Sequence, residues 1–542
     1  MFFTYYQIEE KYMKKIGFWE AYSIGVGGMI GGGIFAVLGL TILLAKGGAP
    51  LSFIFAGIIA LLTSYSYAKL SVRYPSEGGT VEFLVRAFGN NLFTAYLNTL
   101  LLASYVIMLS LYSYAFGSYA SALFLGYELE LAKKIFIVIV ISFFTFLNFL
   151  GAYISGKAED IMVFMKVGIL LLFSGLGFIT GDFSKLSPEH WESLIKILTG
   201  GLIIFLAYEG FELIANTAQD VENPEKVLPK AFYSAVITVM IVYVLVATVA
   251  VANLTYEEVQ KYQDYALAIA AKPILGQAGF VLIGIAALLS TASAINATLY
   301  GSARVSYLVA KFGALPKEFT KHIWKHGTEG LVILAILTII FATSFNLENI
   351  SIAGSLGFLI IYAGVNLANF KLAYYTDSNR WISFTAFLLC IVSIIVLVGY
   401  NLQTNPHNLA SSTVVLILTL LFEITYRFFT KVRLKEYIDW KLREREEFIK
   451  NYETFIQHLV KTIKEKYENA EIYLVGKIVK GKEKAGNINI VVVLETLLKD
   501  IEKEKEKILK KLNLKDYHPV HIEFISKEEK NKLPKERKRL DV

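Results

Sequence analysis

Apolar runs of 18 or more residues recur through the first 430 positions, and nothing else in the chain constrains its fold so strongly. A helix of that length crosses a hydrocarbon layer about 30 Å thick. Inside lipid the backbone N–H and C=O groups must satisfy one another, which leaves only helices or a closed barrel. Twelve spans are read, centred near residues 30, 60, 105, 141, 170, 207, 241, 291, 337, 360, 390 and 420. Only 18% of the 542 residues are charged and 55% are hydrophobic. A large soluble enzyme, with roughly 25% charged residues, is excluded.

The charge is partitioned along the chain. Residues 1–430 carry 25 basic and 25 acidic side chains, whereas residues 431–542 carry 28 and 21, so the whole formal excess of +7 lies in the tail. An even number of spans puts both termini on one side of the membrane. With that side cytoplasmic, the inner loops hold thirteen Lys and Arg and the outer loops six, as the positive-inside rule requires. A multi-pass protein of the cell membrane with both termini cytoplasmic is therefore expected. The first residues, MFFTYYQIEEKYMKKIGF, lack the ordered regions of a signal peptide, so the first apolar helix is expected to direct insertion. The single cysteine, Cys390, lies in an apolar run and reads as a small core hydrophobe.

Two spans are interrupted. In the first, Gly25-Val26-Gly27-Gly28-Met29-Ile30-Gly31-Gly32-Gly33-Ile34-Phe35 has glycine at six of eleven positions. Small residues allow close helix packing, but glycine also weakens a helix and exposes its backbone. Irregular backbone at membrane depth is tolerated where it lines a protein cavity. In the sixth, Phe205-Leu206-Ala207-Tyr208-Glu209-Gly210-Phe211-Glu212 sets two carboxyls and a glycine into an apolar helix. Charge at that depth is a functional-site hypothesis by default. Breaks five helices apart are what two inverted five-helix repeats produce, presenting N-terminal amides to an anion and C-terminal carbonyls to a cation.

At these residues the chain resembles the amino acid–polyamine–organocation transporter superfamily, specifically its amino-acid permeases. The matching stretches are GVGGMIGGGIF at 25–35, SYAKLSVRYPSEGG at 66–79, FLAYEGFELIANTAQDVENPEKVLPKA at 205–231 and LLSTASAINATLYGSARVSYLVAKFGALPK at 288–317. The resemblance covers about residues 15–430. It implies two inverted five-helix repeats plus two further helices, alternating access, and an amino-acid site between the broken first and sixth spans. The Gly32 and Gly33 amides would take the α-carboxylate. Carbonyls of Ile30, Gly31, Leu206, Ala207 and Glu209 would take the α-ammonium. Many relatives place an aromatic side chain at the position of Leu206; here Phe205 and Tyr208 are the nearest aromatics. Glu209 either pairs with a cationic substrate or turns away to a neighbouring helix.

Lys166 lies inside the fifth span, IMVFMKVGILLLF. It either snorkels to the interface or, held from water, exchanges a proton during a transport cycle. In proton-coupled relatives a lysine in this span takes the place of a sodium ion. The resemblance gives Lys166 that role, contacting carbonyls of the broken first span and a hydroxyl of the eighth, Ser290 or Ser293. Glu212 aligns with an acidic residue that handles protons in relatives; the alternative is a hydrogen bond that stitches helices together. Pro75 to Gly79, Asn223-Pro224, Pro229 and Arg304 read as architecture.

In the tail, residues 431–468 read as an amphipathic helix leaving the bilayer. Residues 469–542 read as a small cytosolic α/β domain, with strands at 472–475, 488–494 and 521–525 and a helix at 496–512. The stretch from Leu474-Val475-Gly476-Lys477 to Asn487-Ile488-Asn489-Ile490 resembles a minimal nucleotidyltransferase motif. Lys477 stands for its serine, and Asn487 and Asn489 for its metal-binding acids, so no catalysis is expected there.

The whole reads as an all-α polytopic membrane protein: a permease domain at 1–430, a linker helix and a cytosolic α/β domain. Its expected activity is amino-acid transport by proton symport, against an exchanger or a membrane ligand sensor as rivals. Its expected partners are an amino acid, protons and the bilayer, with a nucleotide or regulatory ligand as a candidate for the tail. No catalytic residue, cofactor, metal or nucleic acid is expected.

Overall fold

The computed structural model describes residues 16–76, 78–89, 91–150, 156–311 and 327–430 of the apolar part, with a few positions between 315 and 324. In the tail it describes residues 451–475, 477–479, 488–495, 520–533 and 537–540, with isolated positions between them. Residues 1–15, Glu77, Gly476, Asn487 and most of 431–450 and 496–519 lie outside the described residues. The chain divides into two compact units: 1–71, 75–371 and 379–433 form one, and 72–74, 372–378 and 434–542 the other.

Helices occupy all twelve expected positions in the first unit. The first span consists of α1 (Phe18–Met29) and α2 (Gly33–Ala45), bent by 44°. Then come α3 (Ala49–Arg73), the short amphipathic α4 (Thr80–Phe88), α5 (Leu92–Leu125), α6 (Glu130–Phe149) and α7 (Gly156–Thr180). The sixth span is α8 (Leu194–Ile204), a single 3-10 turn at Phe205–Tyr208, and α9 (Leu213–Asn216). It is followed by α10 (Pro224–Asn253), α11 (Lys272–Lys311), α12 (Glu329–Ser344), α13 (Leu347–Lys371), α14 (Arg380–Thr404) and α15 (Ala410–Thr430). Among the described residues, nine spans are long and apolar enough to cross a membrane unaided, and the bent pair is a tenth. The remaining two are α6 and the shorter α12.

The two broken spans pair crosswise. The second half of the first, α2, packs along α8, while α1 packs on α9. Two five-helix repeats of opposite topology give this pairing. Around them, α5 packs on α11 and α13, and α13 on α14. Between α3, α13 and α14 the contacts are partly polar. Asn366 Nδ2 donates to Thr63 Oγ1 at 3.1 Å, Asn369 Nδ2 to Ser383 Oγ at 2.7 Å, and Ser66 Oγ to Ser383 Oγ at 3.1 Å. In lipid such bonds hold helices together, because apolar side chains gain little by leaving the hydrocarbon.

One ion cluster was not anticipated. Lys133, one of the six cations counted in the outer loops above, is buried at the start of α6. Its Nζ lies 2.7 Å from both Glu128 and Glu130, 3.7 Å from Asp264, and donates to Tyr114 Oη at 2.8 Å. Tyr114 in turn donates to Asp264 Oδ2 at 3.0 Å. This fastens the turn Gln263–Tyr265, which packs on α2 and α5, to the start of α6.

The second unit is an α/β fold. A four-stranded sheet has the order β5-β4-β3-β6, from Glu471–Val475 (β3), Ile488–Leu494 (β4), Val520–Ser526 (β5) and Arg537–Leu540 (β6); β1 (His322–Trp324) and β2 (Gly327–Thr328) are a small pair in the first unit. β3 pairs antiparallel with β4 and β6, and β4 parallel with β5. The helix Tyr452–Lys464 (α16) sets Ile456, Leu459, Val460 and Ile463 against Ile472, Leu474, Ile490 and Val492. Spacings of three and four on the helix meet alternation on the strands. β6 was not foreseen: Arg537-Lys538-Arg539 carries no apolar alternation to announce a strand.

The Asp264 carboxyl, outside the spans, is pushed up to about 6 by burial and by the neighbouring Glu128 carboxylate, which together outweigh Lys133. Its native form therefore holds a proton that the unfolded chain has lost, and stability falls as pH rises from about 4 through 6. Asp264→Asn is expected to raise the melting temperature in detergent more at pH 8 than at pH 4.5. An equal shift at both pH values would contradict this.

Candidate substrate site

Glycine sets the first break. Ile30 (φ −82°, ψ 47°) and Gly32 (φ −138°, ψ −15°) leave helical geometry, and α2 restarts at Gly33 with no side-chain cap. The first amides of α2 thus lack intrahelical acceptors and sit at the positive end of its dipole. In the sixth span the helix tightens into the 3-10 turn, Glu209 is extended (φ −69°, ψ 149°), and Gly210 has φ +118°. An L side chain rarely adopts that last conformation.

The two breaks touch backbone to backbone. A Cβ on Gly33 would lie 2.5 Å from Ala207 Cα, and one on Gly28 would lie 2.9 Å from the Gly210 carbonyl oxygen. The glycines are required by this approach as well as by the bend. Tyr243 of α10 reaches both breaks, its Oη lying 2.6 Å from the Met29 carbonyl oxygen and 3.1 Å from that of Ala207. Tyr112 of α5 donates to the Gly28 carbonyl at 3.2 Å. The breaks are held by tyrosine hydroxyls from two neighbouring helices. No sequence motif announced Tyr112 or Tyr243, since each is one aromatic among many in an apolar helix.

The expected site residues are brought together, although some are already engaged. Ile30 to Gly33 and Phe205 to Glu209 are all buried. The Leu206 amide donates to Ser355 Oγ at 3.2 Å, the Leu206 carbonyl accepts from the Glu209 amide at 3.2 Å, and the Ala207 carbonyl faces Tyr243. Phe205 meets Tyr362 edge-on at 5.9 Å. Tyr208 points to α3, donating to the Phe53 carbonyl at 2.8 Å.

The acidic residues form one group. Glu212 Oε2 accepts from the Gly210 amide at 2.8 Å and from Tyr362 Oη of α13 at 2.9 Å. The Glu209 carboxyl adjoins that of Glu212 across the break. Glu212 thus ties the sixth-span break to α13.

Lys166 is buried. It is 4% exposed, on the inward stripe of α7 with Val163, Leu170 and Phe173 at helical spacing. α7 packs against α1 and α11. Ser290 of α11 is fully buried and Ser293 is 9% exposed. Glu423 of α15 accepts from Thr99 at 2.8 Å and pairs with Arg427 at 2.8 Å, anchoring α15 to α5.

Two facing helix breaks inside a closed bundle of spans define a membrane transporter built on broken helices. The sequence model of the family described as "Amino acid permease" matches residues 16–429. The chain is 39% identical over 419 residues to an uncharacterized protein of Methanocaldococcus jannaschii, covering 77% of this chain and 96% of that one. It is 34% identical over 393 residues to the inner membrane transport protein YbaT of Escherichia coli, covering 71% and 90%. A crystal structure of the Eremococcus coleocola manganese transporter shares the fold, with a TM-score of 0.51 at 14% identity over 77% of this chain and 95% of that one. The protein belongs to the amino acid permease family. The family model ends at residue 429, and the nucleotidyltransferase likeness of the tail gains no support from these comparisons.

Gly33→Ala is expected to force the breaks apart, at a cost of about 1–3 kcal/mol, and to reduce transport at least tenfold. Tyr243→Phe removes one hydroxyl from two carbonyls and should lower stability by about 1–3 kcal/mol. Thermal unfolding in detergent and flux in proteoliposomes check both. A Gly33→Ala protein with wild-type flux would show that the contact is not needed.

Proposed function

We propose that the protein is a secondary active amino-acid transporter of the cytoplasmic membrane, working by alternating access and driven by proton symport. The carrying observation is Lys166, a basic residue buried at membrane depth on the stripe of α7 that packs toward the broken first span. A lysine sheltered from water can take up and release a proton as its surroundings change. In this reading its ammonium neutralises the carbonyls of the first break, as a bound cation would, and its loss of a proton loosens that contact. Family membership supports an amino acid as the substrate.

The substrate would lie across the two breaks. Its α-carboxylate would face the Gly32 and Gly33 amides at the start of α2, where the helix dipole favours an anion. Its α-ammonium would face the carbonyls of Ile30, Gly31 and Glu209, with those of Leu206 and Ala207 shared with their present donors. Phe205 and Tyr208 would bound the side-chain end, beside Glu209. Glu212, between Gly210 and Tyr362, would take part in proton handling next to the sixth-span break. Both termini would be cytoplasmic, as the distribution of Lys and Arg suggests. The tail would serve a regulatory or structural role, with Asn489 in β4 where metal-bound chemistry needs a carboxylate.

The test is uptake of a panel of radiolabelled amino acids into proteoliposomes, with and without an inward proton gradient. Accumulation should follow the gradient, and Lys166→Ala should abolish it. Exchange that ignores the gradient would identify an exchanger in which Lys166 only shapes the site. Absence of flux for every substrate would favour a sensor, and gradient-driven uptake by Lys166→Ala would remove Lys166 from the coupling step.

A further inference from the structure

Beyond the substrate site, the buried polar residues of α13 fall on one face. Tyr362, Asn366 and Asn369 follow one another at spacings of four and three, and all are fully buried. Tyr362 donates to Glu212 at 2.9 Å. One turn further, Asn366 Nδ2 is 3.1 Å from Thr63 Oγ1 of α3 and 3.7 Å from Cys390 Sγ of α14. Another turn on, Asn369 and Ser66 both meet Ser383 Oγ. Ser383 belongs to the first turn of α14, beside the exposed Asn379 and Arg380. A polar seam thus leads from the carboxyl at the sixth-span break to one end of the bundle.

The seam also carries oxygens that the protein itself does not satisfy. Asn366 Oδ1 and Ser393 Oγ, the latter one turn from Cys390, have no hydrogen-bond partner among the described residues. Both residues are no more than 1% exposed. Leaving a buried polar atom unpaired costs about 1–3 kcal/mol, and internal water is the usual partner of such atoms in polar surroundings.

We propose that the seam between α3, α13 and α14 holds a chain of internal waters, and that it is the route by which a proton passes between Glu212 and the aqueous phase beyond Ser383. The inference rests on the proton-coupled reading above. Each step breaks one O–H bond and forms another: a proton enters at the Ser383 end, moves along waters and the hydroxyls of Ser383, Ser66, Thr63 and Tyr362, and arrives on Glu212. Asn366 carries no proton and is a positioning residue that fixes Thr63 and the waters around it. The titratable groups that face Glu212 include Glu209 on the same break, Tyr67 of α3, Tyr105 and Tyr112 of α5, and Tyr362 of α13. A dry seam that only fastens three helices is the competing account.

Cys390 is the only cysteine in the chain and lies on the seam, so its thiol reports wetting without any introduced label. The full-length protein in liposomes is transferred to D2O, and conversion of its S–H stretch to S–D is followed by infrared spectroscopy. Conversion within minutes is expected. Asn366→Leu should slow it at least tenfold and cut proton-driven accumulation at least tenfold, while exchange at equal pH stays within twofold of wild type. A wild-type thiol that keeps its hydrogen for hours, or an Asn366→Leu protein that accumulates substrate like wild type, overturns the proposal. Should Asn366→Leu also lose exchange, Ser383→Ala, which removes a single hydroxyl at the aqueous end, carries the same comparison. A wild-type protein with no proton-driven accumulation would defeat the proton-coupled reading, and the proton route with it. Thiol exchange would then still decide whether the seam is wet.

Discussion

The obligation to satisfy backbone polar groups where no bulk water reaches governs this structure. Among the described residues the other spans discharge it by helix, α11 with one kink at Leu275-Gly276 near its start. The first and sixth do not, and their exposed amides and carbonyls are met by one another's neighbourhood: Tyr243 and Tyr112 on carbonyls of the first break, Ser355 on an amide of the sixth, Glu212 folded back on Gly210. What remains is an amide-rich helix start facing a carbonyl-rich turn. In the proposed reading this arrangement would receive a small molecule with an anion at one end and a cation at the other, and the binding chemistry would come from backbone, made by where helices stop.

That origin explains which features were legible in the sequence. Stopping points are written in residue types that cannot hide, namely six glycines in eleven residues and two carboxyls in an apolar run. The spans were equally plain, because a 25-residue apolar helix such as α14 has few alternatives. The supports of the site were not legible. Tyr243, Tyr112 and Tyr362 stand among 32 tyrosines, and only three-dimensional packing singles out the hydroxyl that reaches a carbonyl. Lys133 misled for a related reason. By position it belongs to a loop, and its burial follows from the neighbouring Glu128 and Glu130 together with Tyr114 and Asp264, which only the folded chain brings to it. In the tail, β3, β4 and β5 followed from alternation, while β6 is held by pairing to β3 and has no pattern of its own.

Lys166 and Glu212 show two ways to keep a titratable group at membrane depth. Glu212 is tethered by two donors, one from its own break and one from α13, so its position reports on both. Lys166 sits on the inward stripe of α7, a helix that packs on α1, α10 and α11. In the proposed cycle a change in how α1 lies against α7 would reach Lys166, and a change in the sixth break would reach Glu212 through Gly210.

The crossing of the breaks has a mechanical meaning. At Gly28 and Gly210, and again at Gly33 and Ala207, main chain lies on main chain with no side chain long enough to interlock. Side chains that mesh, as between most packed helices, act like gear teeth and permit motion only in steps of a residue or a turn. A glycine crossing has no teeth. In the proposed cycle it would act as a plain bearing, on which the halves could tilt by small angles without first pulling apart.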